Sequence, residues 1–176
     1  HTTGDEDLFD SRYGEFNRSN VLRFLAFDRE NPNSILSCIE TARENARTIR
    51  EVISSAMWEE LNIFFHLVRA ATKQTSTMDE MHSFCNQVKR SSHVLLGATE
   101  VTMSHGEAWH FARLGRLLER ADKTSRIVDV QYYILLPAPK DIGSSLDIVR
   151  WSALLKSTSA LEMYRRVCGR ILPVNV

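Results

Sequence analysis

The sequence has 176 residues, of which 43% are hydrophobic and 25% are charged, with only seven glycines and four prolines. This composition excludes disordered, collagen-like and low-complexity chains and is typical of one folded domain with a buried core. Lys and Arg together number 22, as do Asp and Glu, so the net charge is zero and gives no bulk attraction to nucleic acid or anionic lipid.

The apolar runs and the cysteines argue against membrane-spanning, secreted and disulfide-rich proteins. No run approaches the roughly 20 apolar residues that a membrane-spanning helix needs, and none resembles the apolar core of a secretory signal. The three cysteines, Cys38, Cys85 and Cys168, form no C-x-x-C pair, and an odd number does not suit a disulfide framework. We expect them to be small buried apolar residues of a protein in a reducing compartment.

The first half of the chain predicts a series of helices. A short helix is predicted over residues 19–27. A longer one follows Asn33, a good N-cap, because apolar residues recur at spacings of three and four over residues 35–53. Ser54 or Ser55 is expected to cap the next helix.

The second half continues the helical pattern. Thr77 and Glu80 form a capping-box sequence that opens a long helix. Another helix is predicted over about 106–136, where Pro137 and Pro139 begin a loop, and a last one over 145–169. Since no segment alternates with period two, we predict an all-α bundle of about six helices in a single domain, residues 1–176.

The two ends of the chain share a pattern. Gly14 and Gly169 stand 155 residues apart. Further matches at this offset are Phe9 with Tyr164, Asn20 with Asn175 and Val21 with Val176. They predict a long two-copy helical repeat of which this chain is an excerpt, with cut helix surfaces through which copies of the chain associate.

The predicted helix over 106–136 carries apolar residues on two opposite faces. One seam contains Phe111, Leu114, Leu118, Ala121, Ser125, Val128, Tyr132 and Leu135. Trp109, Ile127 and Ile134 point the other way, since each residue turns the helix by about 100°. A helix that is apolar on both sides is expected to lie inside the bundle, covered by neighbours on two faces.

An interior position would require every charge on this helix to find a partner, because an unpaired buried charge is costly. Local pairs are predicted at i,i+4 spacing, Glu119 with Lys123 and Asp122 with Arg126. Arg113 and Arg120 have no obvious local carboxylate and must find one on another helix, meet solvent or hold an anion. The predicted binding residues are Arg113, Arg116, Glu119 and Arg120.

His105, Glu107 and His110 are the candidate catalytic residues. Glu107 and His110 have the E-x-x-H spacing that di-iron helical bundles use, and Asp79 and His82 give a looser D-x-x-H. The spacing is a weak signal, since Glu107 also suits a first helical turn and His110 also suits a hydrogen-bonded core. The sequence therefore predicts no metal ion, with Glu107 and His110 as weak candidate ligands.

Other catalytic patterns are weaker still. Ser104 beside His105, or Cys85 near His82 and His93, offers a nucleophile and a base only by adjacency. There is no phosphate-binding loop and no H-E-x-x-H motif, and basic residues alternate with acids. We therefore predict no cofactor and no nucleic-acid partner.

Several segments resemble the bacterial Alpha-E family, an α-helical domain named for its Glu-Arg motif. They are residues 27–35, 42–47, 103–111 and 114–129, and the Glu-Arg motif is Glu119-Arg120. The resemblance implies a cytoplasmic protein about twice this length with two such motifs. It also implies an association with an ATP-grasp protein, often near transglutaminase-like proteins, in peptide synthesis or modification.

The resemblance implies no reaction for the helical domain itself. The leading interpretation is therefore a non-catalytic module that binds an ATP-grasp-type protein or its peptide substrate. The alternative is an enzyme of amide or peptide chemistry, with or without a metal ion. It would use His105, Glu107 and His110 together with Glu119 and Arg120.

Overall fold

The computed structural model describes residues 5–75, 77–135 and 144–171. Within these ranges the chain contains eight α-helices and no strand, which confirms the all-α class and adds two helices to the predicted six. The helices are α1 (Glu6–Tyr13), α2 (Arg18–Phe27), α3 (Ile35–Thr48), α4 (Ser55–Gln74), α5 (Met78–Thr102), α6 (Glu107–Leu135), α7 (Ser145–Ser157) and α8 (Leu161–Cys168). The predicted loop at Pro137 and Pro139 lies outside the described residues.

Two local features account for the extra helices. The first helix predicted from the sequence begins at residue 19, after α1 has ended. The last predicted helix, over 145–169, combines α7 and α8. These two are separated at Ser159, whose φ of 59° lies in the left-handed region. A non-glycine residue rarely adopts this conformation, and it interrupts the right-handed helix.

Capping side chains set most of the helix starts. Ser54 caps α4, and Thr77 caps α5 in a complete capping box with Glu80, as the sequence predicts. The cap of α3 is Ser34 rather than Asn33, because the Ser34 hydroxyl accepts a hydrogen bond from the backbone N–H three residues later. Helix α3 also ends at Thr48, several residues before the predicted end.

The chain divides into two compact units at the junction of residues 113 and 114. In the N-terminal unit (Asp5–Arg113), each helix from α1 to α5 packs on the next in chain order. Val68 of α4 is completely buried near the centre of its apolar core. The other core residues include Leu36, Ile39, Ile53, Leu61, Phe64, Phe65, Met81, Phe84, Met103 and Trp109.

In the C-terminal unit, which begins at Leu114, α7 packs on α8. Leu154, Leu155 and Leu161 are buried there, together with the carboxylate of Asp147. The Ser144 hydroxyl caps α7 by accepting a hydrogen bond from the backbone N–H of Asp147. The two helices that pack together in this unit, α7 and α8, are shorter than α4 and α5 of the N-terminal unit.

Helices α1 and α8 share features at the offset of 155 residues. Both are eight residues long, and both end at a glycine with positive φ, Gly14 at 63° and Gly169 at 70°. Glycine suits these positions because it has no Cβ to oppose the left-handed conformation. The two-copy repeat nevertheless remains a prediction.

The cysteines do not lie where the composition suggested. Cys38, Cys85 and Cys168 are all exposed. Burial was the wrong expectation, because Cys38 and Cys85 sit next to the buried positions of their helices, beside Ile39 and Phe84, and not on them. Among the described residues, no helix combines the length and the apolar character needed to cross a bilayer.

Buried polar side chains shape the connection between α2 and α3, which lies in one of the family-like segments. Asn31 is completely buried, and its amide donates to the Phe24 carbonyl at 3.2 Å. Asp28 is 6% exposed; its Oδ2 accepts from Arg12 Nε at 2.9 Å and from the Tyr13 hydroxyl at 3.0 Å. Its Oδ1 accepts from the backbone N–H of Glu30. This connection therefore ties α1 to the end of α2.

The environment of Asp28 changes its ionisation. Burial alone would raise the pKa of Asp28, but hydrogen bonds from Glu30, Tyr13 and Arg12 outweigh it and hold the pKa below its ordinary value. The pKa of Tyr13 is raised, first by burial and then by its hydrogen bond to Asp28. The folded state is thus stabilised by the ionised carboxylate.

We expect Asp28→Asn to lower the free energy of unfolding by about 1–3 kcal/mol at neutral pH, since a buried hydrogen-bonded charge is lost. Because the folded pKa is depressed, the contribution is complete above the unfolded pKa of about 4 and is lost as pH falls through the folded value. Urea unfolding at neutral and acidic pH measures this difference.

The exposed acid Asp10 of α1 supplies the matched control. Asp10→Asn should change the free energy of unfolding by less than about 0.5 kcal/mol. An equal loss for both variants, or a loss at Asp28 that does not shrink in acid, would contradict the role assigned to Asp28.

Candidate functional site

Helix α6 carries every binding residue predicted from the sequence, and most of it is uncovered. Every residue from 110 to 121 is exposed. Phe111, Leu114 and Leu118 are 65%, 51% and 62% exposed. The prediction that neighbours cover α6 on both faces is therefore wrong for this stretch. Apolar periodicity shows which face of a helix avoids water, but it does not identify the surface that covers that face.

The first turns of α6 belong to the N-terminal unit and are organised around Trp109, which is 5% exposed. The His105 ring stacks on the indole at 4.2 Å between centroids, and the His110 ring meets it edge-on at 5.0 Å. The Arg113 guanidinium lies 5.0 Å from the indole centroid, a cation–π contact. His105, His110 and Arg113 are thus packing partners of one buried ring.

This cluster was not predicted from the sequence, although a signal was present. Trp109 and Arg113 are four residues apart on α6, which brings their side chains to one side of the helix. His105 stands four residues before Trp109, in the segment that leads into α6. The Nε2 atom of His105 is also 3.0 Å from the carbonyl oxygen of Glu100, so both the ring face and the ring nitrogen of His105 have partners.

The E-x-x-H residues do not assemble into a metal site. Glu107 is exposed in the first turn of α6, where a carboxylate suits the helix dipole. Within the described ranges, no three His, Cys, Asp or Glu side chains are close enough together to hold a metal ion. The looser pair Asp79 and His82, both exposed in α5, falls under the same finding.

In the C-terminal unit, α6 carries the predicted local ion pairs. Arg126 Nε lies 2.9 and 3.0 Å from the two carboxylate oxygens of Asp122. Lys123 Nζ is 4.0 Å from Glu119 Oε2 and 3.4 Å from Asp122 Oδ2. The hydrogen bond from Arg126 is the largest of the effects that lower the pKa of Asp122. Both i,i+4 pairs are therefore confirmed, on a solvated face rather than in the interior.

The two residues of the Glu-Arg motif have different environments. Arg120 Nη2 donates a 3.2 Å hydrogen bond to the carbonyl of Thr158, the residue that ends α7. A cation is favourable there, because the last carbonyls of a helix lack backbone partners. The side chain of Glu119 is 76% exposed, and its one contact with a described residue is the 4.0 Å approach of Lys123. Arg120 therefore links α6 to the end of α7, whereas Glu119 faces solvent.

We call the exposed part of α6 in the C-terminal unit the ER surface. It has an apolar stripe of Leu114, Leu117, Leu118, Ala121 and Val128. It also has a charged stripe of Arg116, Glu119, Arg120 and Lys123. Because each residue turns the helix by about 100°, the two stripes lie on nearly opposite faces of α6. Both are open surfaces that offer contacts to a macromolecule and not an enclosed reaction chamber.

Comparison with protein families matches residues 1–175 to Alpha-E, described as a predicted alpha-helical domain with a conserved ER motif. No curated protein matches, and no solved structure matches.

We expect Arg120→Leu to lower the free energy of unfolding by about 0.5–1.5 kcal/mol, because the Thr158 carbonyl loses its hydrogen bond. Arg120→Lys should recover only part of this, since an ammonium lacks the reach and planar geometry of the guanidinium. Chemical denaturation monitored by circular dichroism measures both effects.

Arg166 of α8 is the matched control, being an exposed arginine of the same unit with no ion pair among the described residues. Arg166→Leu should be nearly neutral. If Arg120→Leu also left the free energy of unfolding unchanged, the contact between Arg120 and Thr158 would not stabilise the fold, which would contradict this prediction.

Proposed function

Since the chain belongs to the Alpha-E family of helical domains, we propose that it is a non-catalytic binding module whose ER surface docks a protein partner. The partner is an ATP-grasp-type protein of a cytoplasmic peptide ligation or modification system, or else the peptide substrate of that system. The resemblance noted from the sequence supplies the partner class. The exposed ER surface supplies the place where it binds.

One observation supports the proposal most directly: α6 has an apolar stripe without a cover. Leu118 is 62% exposed, Leu114 51% and Leu117 46%. Burying one such side chain against a partner is worth about 1.5–3 kcal/mol. Contiguous apolar exposure of this kind is typical of a protein-binding surface.

The charged stripe would determine which partner fits. Glu119 presents its carboxylate to solvent, and Lys123 lies beside it. Because these charges face away from the leucines, they would act on an approaching partner at longer range, which mainly raises the association rate. Arg120, held by Thr158, would keep α6 in place and contribute through its exposed guanidinium edge.

The enzymatic alternative has less support from the geometry. Its two histidines, His105 and His110, pack against Trp109, and Glu107 stands exposed at the start of α6. Amide chemistry by these residues with Glu119 and Arg120 therefore stays a prediction that no contact among the described residues supports.

The test is binding between this chain and the ATP-grasp-type protein encoded beside it, measured by isothermal titration calorimetry. We expect a saturable complex that Leu118→Ser weakens about tenfold or more, because the buried leucine contact is lost. Ile63→Ser on α4 is the matched control, since Ile63 is 58% exposed and should leave the affinity unchanged.

Three outcomes would contradict the proposal: no complex with either the protein or its peptide substrate, equal weakening by both serine variants, or turnover of the peptide by this chain alone. Self-association is a further outcome. If light scattering shows a dimer that Leu118→Ser dissociates, the ER surface is occupied by a second copy and not by a different protein.

A further inference from the structure

A cavity of about 500 Å³ lies in the N-terminal unit, in a part of the chain that the sequence did not mark as a site. Basic side chains reach it from α1, α2 and α4, and from the connection after α2. They are Arg12, Arg23, Arg29, Arg69 and Lys73. Asp28 is the one acidic residue in the lining, in a chain whose net charge is zero. The cavity therefore concentrates positive charge that the sequence as a whole does not have.

Among the described residues, two of these cations have a carboxylate within ion-pair distance. Arg12 meets Asp28 at 2.9 Å, and Arg29 meets Glu40 at 2.7 Å. Arg23, Arg69 and Lys73 have no such partner among the described residues; Arg69 has a distant contact with the Phe65 ring at 5.8 Å. Three like charges thus share one cavity without neutralisation.

Helix dipoles account for only part of this arrangement. A cation is favourable in the last turn of a helix, and Arg12 and Lys73 occupy the last turns of α1 and α4. Arg23 and Arg69 do not occupy last turns. They are exposed to water and line the same cavity, which is an arrangement that a bound anion would use.

We propose that this cavity binds a small organic phosphate carrying at least two negative charges. Guanidinium groups hold phosphate oxygens through paired hydrogen bonds, and a lysine adds a mobile point charge. The cavity size lies within the range of small-molecule sites, about 300–1,000 Å³. The proposal is independent of the ER surface and of any partner that binds there.

An adjoining cavity supplies room for the uncharged part of such a ligand. It measures about 250 Å³ and shares Arg23, Phe27 and Thr72 with the basic cavity. Its remaining lining is apolar or carries hydroxyl groups and includes Leu22 and Met81. The phosphates would lie among the cations, with an aromatic or sugar portion beside Phe27.

The experiment is isothermal titration of the full chain with pyrophosphate and with ADP at low ionic strength, where charge interactions are least screened. Both should bind, and ADP should bind more tightly, because its nucleoside reaches the second cavity. The double variant Arg23→Gln, Lys73→Gln should weaken both by about tenfold or more, since charge-assisted hydrogen bonds are lost. Arg23 and Lys73 are exposed, so folding should be retained, which circular dichroism checks.

Two further variants sharpen the result. Arg90→Gln on α5 removes an equal exposed charge away from the cavity and should leave the affinity unchanged. Asp28→Asn removes the single lining carboxylate, frees Arg12 and should tighten pyrophosphate binding. Failure of both phosphates to bind at millimolar concentration would overturn the proposal, as would equal loss in Arg90→Gln. If hexaglutamate binds as tightly as ADP with the same dependence on Arg23 and Lys73, the assignment to phosphate is wrong.

Discussion

Burial of the apolar faces of α3, α4 and α5 around Val68 is the constraint on which the N-terminal unit depends. Val68 is fully buried, and Leu61 and Phe84 are nearly so. Their packing holds α4 so that Arg69 and Lys73, on its outer side, line the basic cavity. A core that is close-packed leaves its surface charges in defined places. Core packing therefore fixes the position of the helix from which these two basic side chains reach the cavity.

The connection between α2 and α3 shows how buried polarity can substitute for apolar contact. Asp28 and Asn31 are both buried, and each has hydrogen-bond partners from neighbouring segments. A buried carboxylate is tolerated because the Arg12 guanidinium and the backbone N–H of Glu30 stabilise its charge. The same carboxylate forms an ion pair with Arg12, one of the cations that line the basic cavity.

Helix α6 is buried near its start, at Trp109, and exposed along the turns that follow. Trp109 anchors its first turns in the core of the N-terminal unit, and from His110 to Ala121 the helix is exposed. Among its described residues, the charges form local pairs, meet a backbone carbonyl or are exposed. An exposed stripe of leucines then becomes the feature that requires a functional explanation, in place of the buried Glu-Arg centre that the sequence suggested.

The sequence by itself determined the all-α class, the capping box at Thr77 and the i,i+4 pairs of α6, because each depends on residues close together in the chain. The family-like segments likewise located the Glu-Arg motif. Only the tertiary structure decided that Arg120 meets Thr158, that residues 110–121 of α6 are exposed and that Arg12, Arg23 and Lys73 share a cavity. Such contacts join residues distant in sequence, and helical periodicity carries no information about which helix, if any, faces another.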